Sequence, residues 1–183
     1  HNDYNSSLLL KYVDHSSNNT GNGINETVIT LKDDKYPVTV KLHYVAYDKE
    51  NIIRTFTEIS HEEKKPVILS KYASSMLHLN SSKYFLTEFS GDWAHEANVT
   101  ERELAFGKKV IDTKLGARAN MFVSPFFQLA LDNPSQENAG EVLVGTIGWT
   151  GNFRFTFEVD NKNELRIISG INPYDSEYSL PAK

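Results

Sequence analysis

The sequence contains no cysteine among its 183 residues. The protein therefore has no disulfide bonds, and it has neither a thiolate nucleophile nor a thiolate metal ligand. Absence of cysteine is compatible with both the cytoplasm and the periplasm of a bacterium, so the residues predict no compartment.

Positive charge in excess and long apolar runs are missing as well. There are 19 Lys and Arg residues against 24 Asp and Glu residues, a net charge of −5. Nucleic acids and anionic membranes attract clustered Lys and Arg, so we predict neither as a partner. No run approaches the roughly 18 to 20 apolar residues of a membrane-spanning helix, and the first residues lack the order of a secretory leader. A neutral ligand such as a sugar is compatible with this charge.

The first residue is His1 rather than Met, so we expect a processed or excised piece of a longer polypeptide. The length suits one domain with a sizeable core, since domains commonly run from roughly 50 to 250 residues. We therefore predict a single domain over residues 1–183.

Several catalytic motifs are also missing. The sequence has no Gly-rich phosphate loop before a helix, no G-x-S-x-G elbow and no H-E-x-x-H zinc helix. Its strand histidines are isolated, and a lone histidine is more often a surface or core residue than a metal ligand. No metal and no other cofactor is predicted. The isolated histidines are His43, His61, His78 and His95.

What the sequence does contain is alternation of apolar and polar residues. Val38–Tyr44 places Val, Val, Leu and Tyr on one face, and Phe153–Val159 is the clearest case. A period of two is typical of a half-buried strand. Asp160–Asn163 supplies hairpin residues before the next apolar run, Leu165–Ile168.

The whole pattern predicts an all-β fold with little helix. About eleven strands, separated by turn signals about every 8 to 14 residues, indicate a large antiparallel β-sandwich. Ser16–Gly23 is predicted to be an exposed loop. Tyr72–Leu79 fits a helix or a strand, and we favour the strand because its neighbours are strands.

One stretch combines a strand with polar groups. Tyr84–Ser90 is aromatic and apolar, Gly91 signals a turn, and Asp92, Trp93, His95 and Glu96 follow within five positions. A strand is thereby predicted to deliver these side chains to a rim. The alternative is a strand end at which Trp93 caps the core and the carboxylates are solvated.

Two chemical roles are open to these residues. A glycosidase that retains configuration needs two carboxyl groups about 5 to 5.5 Å apart, whereas Asp92 and Glu96 would be about 13 Å apart in an extended strand. Only a turn would bring them closer. Trp93 and Trp149 are candidate stacking platforms, since the apolar C–H face of a sugar suits an indole. For Trp149 we favour packing in the core.

Three segments carry a recognisable order of residues, and the third is the most specific. They resemble the non-catalytic N-terminal β-sandwich of the family 36 glycoside hydrolases, the α-galactosidase and raffinose-synthase-like group. The resemblance covers the chain from about Tyr84 to Tyr178. The segments are Ser90–Glu96; Asp112–Arg118 with Ser124–Phe127; and Gly140–Val142 followed by Gly151–Phe153, Glu158–Asp160, Arg166 and Gly170–Pro173.

The resemblance implies a supersandwich-like fold and a parent enzyme that hydrolyses terminal α-linked galactose from oligosaccharides with retention. Its two catalytic aspartates would lie on a (β/α)₈ barrel following Lys183, so none is expected here and the chain alone would be inactive. The implied roles of the sandwich are to brace the barrel, to help a homo-oligomer form and to edge a sugar site. Trp93 is the best candidate to approach sugar, with Asp92 and His95 as polar companions.

Two other functions remain open from the residues. One is a free-standing carbohydrate-binding module with Trp93 or Trp149 as its platform. The other is a purely structural module, which low exposure of both indoles would favour.

Overall fold

The computed structural model describes residue 3, residues 5–115 and residues 122–182. These residues form antiparallel sheets and contain no helix, which confirms the all-β prediction. No helix able to cross a membrane occurs within the described ranges. The strands are β1 (Leu10–Gly21), β2 (Ile24–Asp33), β3 (Val38–Tyr47), β4 (Ile52–His61), β5 (Val67–Leu69), β6 (Ser75–Asn80), β7 (Tyr84–Ser90), β8 (Asn98–Glu103), β9 (Gly107–Asp112), β10 (Val123–Leu131), β11 (Glu141–Thr146), β12 (Phe153–Val159), β13 (Glu164–Ile171) and β14 (Tyr178–Leu180).

The chain divides into two compact units, and the first comprises residues 1–75 and 175–183. Its main sheet has the order β1-β2-β3-β4, so each strand pairs with its neighbour in sequence, and β5 pairs with β14. Tyr36, Val38 and Val40 form its buried core, with Leu10 and Leu31 among the residues packed against them. This core lies toward one end of the long strands.

The second unit, Met76–Tyr174, is a sandwich of two four-stranded sheets. Their orders are β11-β10-β7-β8 and β6-β13-β12-β9. The inward residues of β12 are all buried, as its alternation predicts. Phe127 of the first sheet contacts Phe155 and Phe157 of the second, with ring centroids 5.2 and 4.9 Å apart. Such edge-on aromatic contacts confirm the predicted sandwich.

Two local predictions have opposite outcomes. The strand favoured over Tyr72–Leu79 is confirmed by β6. The loop predicted over Ser16–Gly23 is wrong, because β1 continues to Gly21 and pairs with β2, with irregularities after Tyr12 and Asn19. Its side chains beyond Leu10 are all exposed, so the strand is held by backbone hydrogen bonds and has no apolar face to reveal it.

Gly116, Ala117 and Arg118 of the second family segment lie outside the described residues. The single domain over residues 1–183, cut from a longer glycosidase, stays a prediction.

Strand ends from both sheets of the second unit share one end of the sandwich. Ser90 of β7 and Thr146 of β11 flank the start of β10, while Asp112 of β9 pairs with Arg154 at the start of β12. At the opposite end the hydroxyl of Tyr84 donates to the Asn163 carbonyl across the two sheets, at 2.9 Å. We call the first end the rim; its described residues are 91–97, 113–115, 122, 147–152 and 172–174.

Candidate functional site

The Trp93 loop, residues 91–97, connects β7 to β8 at the rim. Asp92 and His95 exchange backbone hydrogen bonds of 3.2 and 2.9 Å. The Asp92 carboxylate accepts from the Trp93 N–H at 2.7 Å, and the Glu96 carboxylate accepts from the Ala94 N–H at 3.1 Å. Both carboxylates therefore satisfy the backbone of their own loop, and the loop is closed on itself.

Gly91 allows this loop to close. A Cβ at this position would lie 2.9 Å from both the Glu96 Cα and the His95 carbonyl oxygen, both backbone atoms. The Gly91 N–H also donates to the Phe122 carbonyl at 2.9 Å, which ties the loop to the start of β10. The turn signal at Ser90–Gly91 thus marks a position that has no room for a side chain.

The loop presents its predicted site residues to solvent. Trp93 is 86% exposed, so the alternative in which it caps the core is wrong. Asp92 and His95 are exposed on the same loop. The structure thus brings the three predicted residues together on one loop, whose two sides are joined by backbone hydrogen bonds.

Trp149 is also accessible, because 46% of the residue is exposed. The prediction that it packs in the core is therefore wrong. Its indole lies against Gly151, where a Cβ would be 2.7 Å from Nε1. The exposure of both indoles contradicts the purely structural interpretation in which both are buried.

A buried polar network supports the rim. Asn172 is 1% exposed, and its side-chain N–H group donates to the Thr113 carbonyl at 2.9 Å and to the Asp112 carboxylate at 3.3 Å. The same Asp112 oxygen accepts from the Arg154 guanidinium at 2.9 and 3.1 Å. Asn172 also accepts from the Tyr174 N–H at 3.1 Å. These contacts join the ends of β9, β12 and β13, a role that sequence reasoning missed.

Glu88 closes the open side of the sandwich close to the Trp93 loop. Its half-buried carboxylate contacts Arg102 of β8 at 2.7 Å and Lys109 of β9 at 2.9 Å. Since β8 and β9 belong to different sheets, the carboxylate links the two layers by charge-assisted hydrogen bonds. Within the described part of the chain, no group of three or more His, Asp and Glu side chains could hold a metal ion.

Comparison with known proteins identifies the architecture. A sequence model of the glycosyl hydrolase family 36 N-terminal domain matches residues 1–181. The chain belongs to this family. The match confirms the resemblance and extends it to the region before Tyr84.

Relatives of this family 36 domain are much longer proteins. Alpha-galactosidase 2 of Pediococcus pentosaceus is 29% identical over 84% of this chain and 21% of its own length. The solved structure of the GH36 alpha-galactosidase AgaA of Geobacillus stearothermophilus has a TM-score of 0.87, with 25% identity, over 98% of this chain and 27% of its own. Two variants of AgaA, in complexes with stachyose and raffinose, match with the same TM-score and identity. The chain thus spans about a quarter or less of the length of these relatives.

Parts of all three segments that carry the family 36 resemblance lie at the rim, while Gly140–Val142 and Glu158–Asp160 of the third lie at the opposite end of the sandwich. The first is the Trp93 loop itself. Asp112, from the second, and Asn172, from the third, are hydrogen-bonded to each other, and Gly151 of the third supports Trp149. Segments far apart in the sequence therefore build one surface of the domain.

Proposed function

We propose that this protein is the accessory N-terminal domain of an enzyme that hydrolyses terminal α-linked galactose from oligosaccharides with retention of configuration. The supporting observation is the family match over residues 1–181, in a chain that spans only 21% to 27% of relatives named alpha-galactosidases. The catalytic carboxylates then belong to a (β/α)₈ barrel elsewhere in the parent polypeptide. The domain braces that barrel and is inactive alone.

The second part of the proposal is that Trp93 edges the galactose site, with Asp92 and His95 beside it. The exposed indole offers an aromatic face to the C–H face of a sugar, while a carboxylate and an imidazole can exchange hydrogen bonds with its hydroxyls. Closure of the Trp93 loop supports this role, since a fixed loop loses little conformational entropy when it binds.

The third part is that the first unit helps the enzyme to form a homo-oligomer. All residues from Ile24 to Leu31 of β2 are half-buried, so within the described residues neither face of this part of the sheet is fully covered. Ile52 and Ile53 begin β4 in the same part of the sheet and are exposed. Exposed apolar side chains on a regular sheet are typical of a protein interface, and a second copy is the partner that we propose.

The test compares the 183-residue chain with its complete natural polypeptide in an assay with an aryl α-galactoside. We expect activity only in the complete polypeptide. In that polypeptide Trp93→Ala should raise KM about twofold to tenfold, the equivalent of an aromatic contact of about 0.5–1.5 kcal/mol. Phe106→Ala is the matched control, because Phe106 is 77% exposed and precedes β9 at the end opposite the rim. Turnover by the isolated chain would overturn the proposal.

A second candidate function is a free-standing carbohydrate-binding module, which the exposure of both indoles favours. Such a module should bind raffinose without the rest of the polypeptide. Because the chain has 2 tryptophans, Trp93→Phe and Trp149→Phe each leave one fluorescent indole. Saturable quenching of either indole by raffinose in the isolated chain would support this alternative.

A further inference from the structure

We propose that Trp149 is a second sugar-stacking position, which holds a more distant unit of the same galacto-oligosaccharide whose terminal galactose is edged by Trp93. The inference rests on the proposed function and adds a preference for longer substrates. It starts from the exposure of an indole that the sequence favours as a core residue.

The local structure presents the Trp149 indole as a platform. The ring lies close against the backbone at Gly151, where a Cβ would be 2.7 Å from Nε1, 3.0 Å from Cε2 and 3.1 Å from Cζ2. Support of this kind fixes an indole on one side, while 46% of the residue is exposed. A preorganised aromatic surface loses little side-chain entropy when a sugar stacks on it.

The sheet order places the strand ends that lead to the two indoles a short distance apart. Trp93 lies three positions beyond the end of β7, and Trp149 lies three positions beyond the end of β11. Only β10 separates these strands, so their ends are about 10 Å apart at two strand spacings. A linear trisaccharide or tetrasaccharide is long enough to reach between platforms on two loops that start at such a distance.

The other rim aromatics are less suited to stacking. Tyr174 already has the Lys114 ammonium 4.4 Å from its ring centroid, so one face of this ring is occupied by a cation. Phe122 lies at the start of β10, between the ends of β7 and β11, and has no polar atom on its ring. Trp149 offers the larger aromatic surface and is 46% exposed, which makes it the better platform for the C–H face of a sugar.

The experiment uses the complete natural polypeptide with three substrates of increasing length: an aryl α-galactoside, raffinose and stachyose. Trp149→Ala should raise KM for stachyose about threefold to tenfold, leave kcat unchanged and leave KM for the aryl galactoside within twofold. Trp93→Ala, in contrast, should raise KM for all three substrates. Phe106→Ala should change none of them.

Gly151→Ala provides a variant that keeps the indole and moves it. Its new Cβ requires Trp149 to leave its position, so this variant should reproduce the length-dependent loss of Trp149→Ala. Thermal unfolding identifies any variant that has lost its fold, and calorimetric titration with stachyose measures the same loss without turnover.

The outcomes separate the two proposals. An equal effect of Trp149→Ala on all three substrates, or no effect on stachyose, would overturn the second stacking position and leave the role of Trp93 intact. If Trp93→Ala changes nothing while Trp149→Ala weakens only stachyose, the assignment of Trp93 fails and the second position stands.

Discussion

At the scale of single residues, this domain depends on positions where a side chain has no room. Gly91 lies beside backbone atoms of the Trp93 loop, and Gly151 lies beside the Trp149 indole. Each glycine thereby allows a tryptophan to be exposed at the rim. The sequence marks Gly91 as a turn, which is enough to predict that Asp92, Trp93 and His95 follow on one loop. Hydrophobicity alone predicts that Trp149 is buried. Its exposure could not be predicted, because the space over Gly151 that the indole occupies is a property of the folded loop and not of composition.

Substitution of Gly91 by Ala should destabilise the domain by about 1–3 kcal/mol, the usual cost of forcing extra atoms into a packed site. The new Cβ would meet backbone atoms of His95 and Glu96, which cannot rotate away. Urea unfolding measures the loss. Ala94→Gly is the control in the same loop, since Ala94 has φ of 64° and glycine adopts this conformation at little cost. It should be neutral or stabilising, and equal losses in both variants would contradict the close approach at Gly91.

Asn172→Ala should cost about 2–4 kcal/mol, since it leaves the buried Thr113 carbonyl and the Tyr174 N–H without their partner. Asn161→Ala, at an exposed position of the β12–β13 turn, is the control and should change stability by less than about 0.5 kcal/mol. Chemical denaturation at neutral pH gives both values. A loss at Asn172 as small as at Asn161 would show that the network does not stabilise the rim.

At the scale of elements, alternation predicts strands only where one face is buried. β12 is the clearest strand because its phenylalanines enter the core, whereas the polar half of β1 pairs with β2 in solvent and resembles a loop. The register is then set by backbone hydrogen bonds and by polar pairs, such as Ser17 and Thr27 at 3.0 Å. Sequence analysis misses edge strands of this kind, because apolar and polar residues alternate only where one face of a strand is buried. Neither face of this part of β1 is buried.

The connection between β10 and β11 folds back over the sheet and is held by Glu101 of β8. The carboxylate accepts from the Ser135 N–H at 3.1 Å and from the Thr87 hydroxyl at 3.2 Å, while Gln128 donates to the Ser135 hydroxyl at 2.8 Å. Hydrogen bonds from Ser135, with a smaller contribution from Thr87, lower the pKa of Glu101 below its ordinary value of 4.5.

A lowered pKa in the folded state means that the ionised carboxylate stabilises the fold above its unfolded pKa. This contribution is lost as the pH falls through the folded pKa. The difference in unfolding free energy between the wild type and Glu101→Gln should therefore be constant above about pH 5.5 and shrink below the ordinary pKa of 4.5. Urea unfolding at a series of pH values from 7 to 3 measures this difference in free energy. Glu141→Gln, at another exposed carboxylate, is the control variant. A difference that does not vary with pH would contradict the role of the ionised form.

At the scale of the whole molecule, the two units differ in how much of their family membership could be predicted from the sequence. The second unit contains the glycine, tryptophan and asparagine residues of the rim, which belong to the family segments. The family resemblance can therefore be recognised in the sequence from Tyr84 onward. The first unit consists of long strands with common β-forming residues, and only the complete family comparison recognises it. Fold class follows from periodicity in both units, because alternation is a local property. The meeting of parts of three distant segments at the rim depends on strand order, which no single segment contains.

The uncovered part of the first unit leads to a prediction about assembly. Ile53 is 68% exposed at the start of β4, and a charge at this position should be unfavourable in an apolar interface between copies and harmless in a monomer. Ile53→Glu should therefore lower the mass of the complete polypeptide in light scattering while its unfolding temperature, measured as a dilute monomer, stays within a few degrees. Val144→Glu, at an exposed apolar position of β11 in the second unit, is the matched control and should leave the mass unchanged. A wild-type polypeptide that is monomeric at micromolar concentration, or an Ile53→Glu variant that assembles as well as the wild type, would rule out this sheet as the interface.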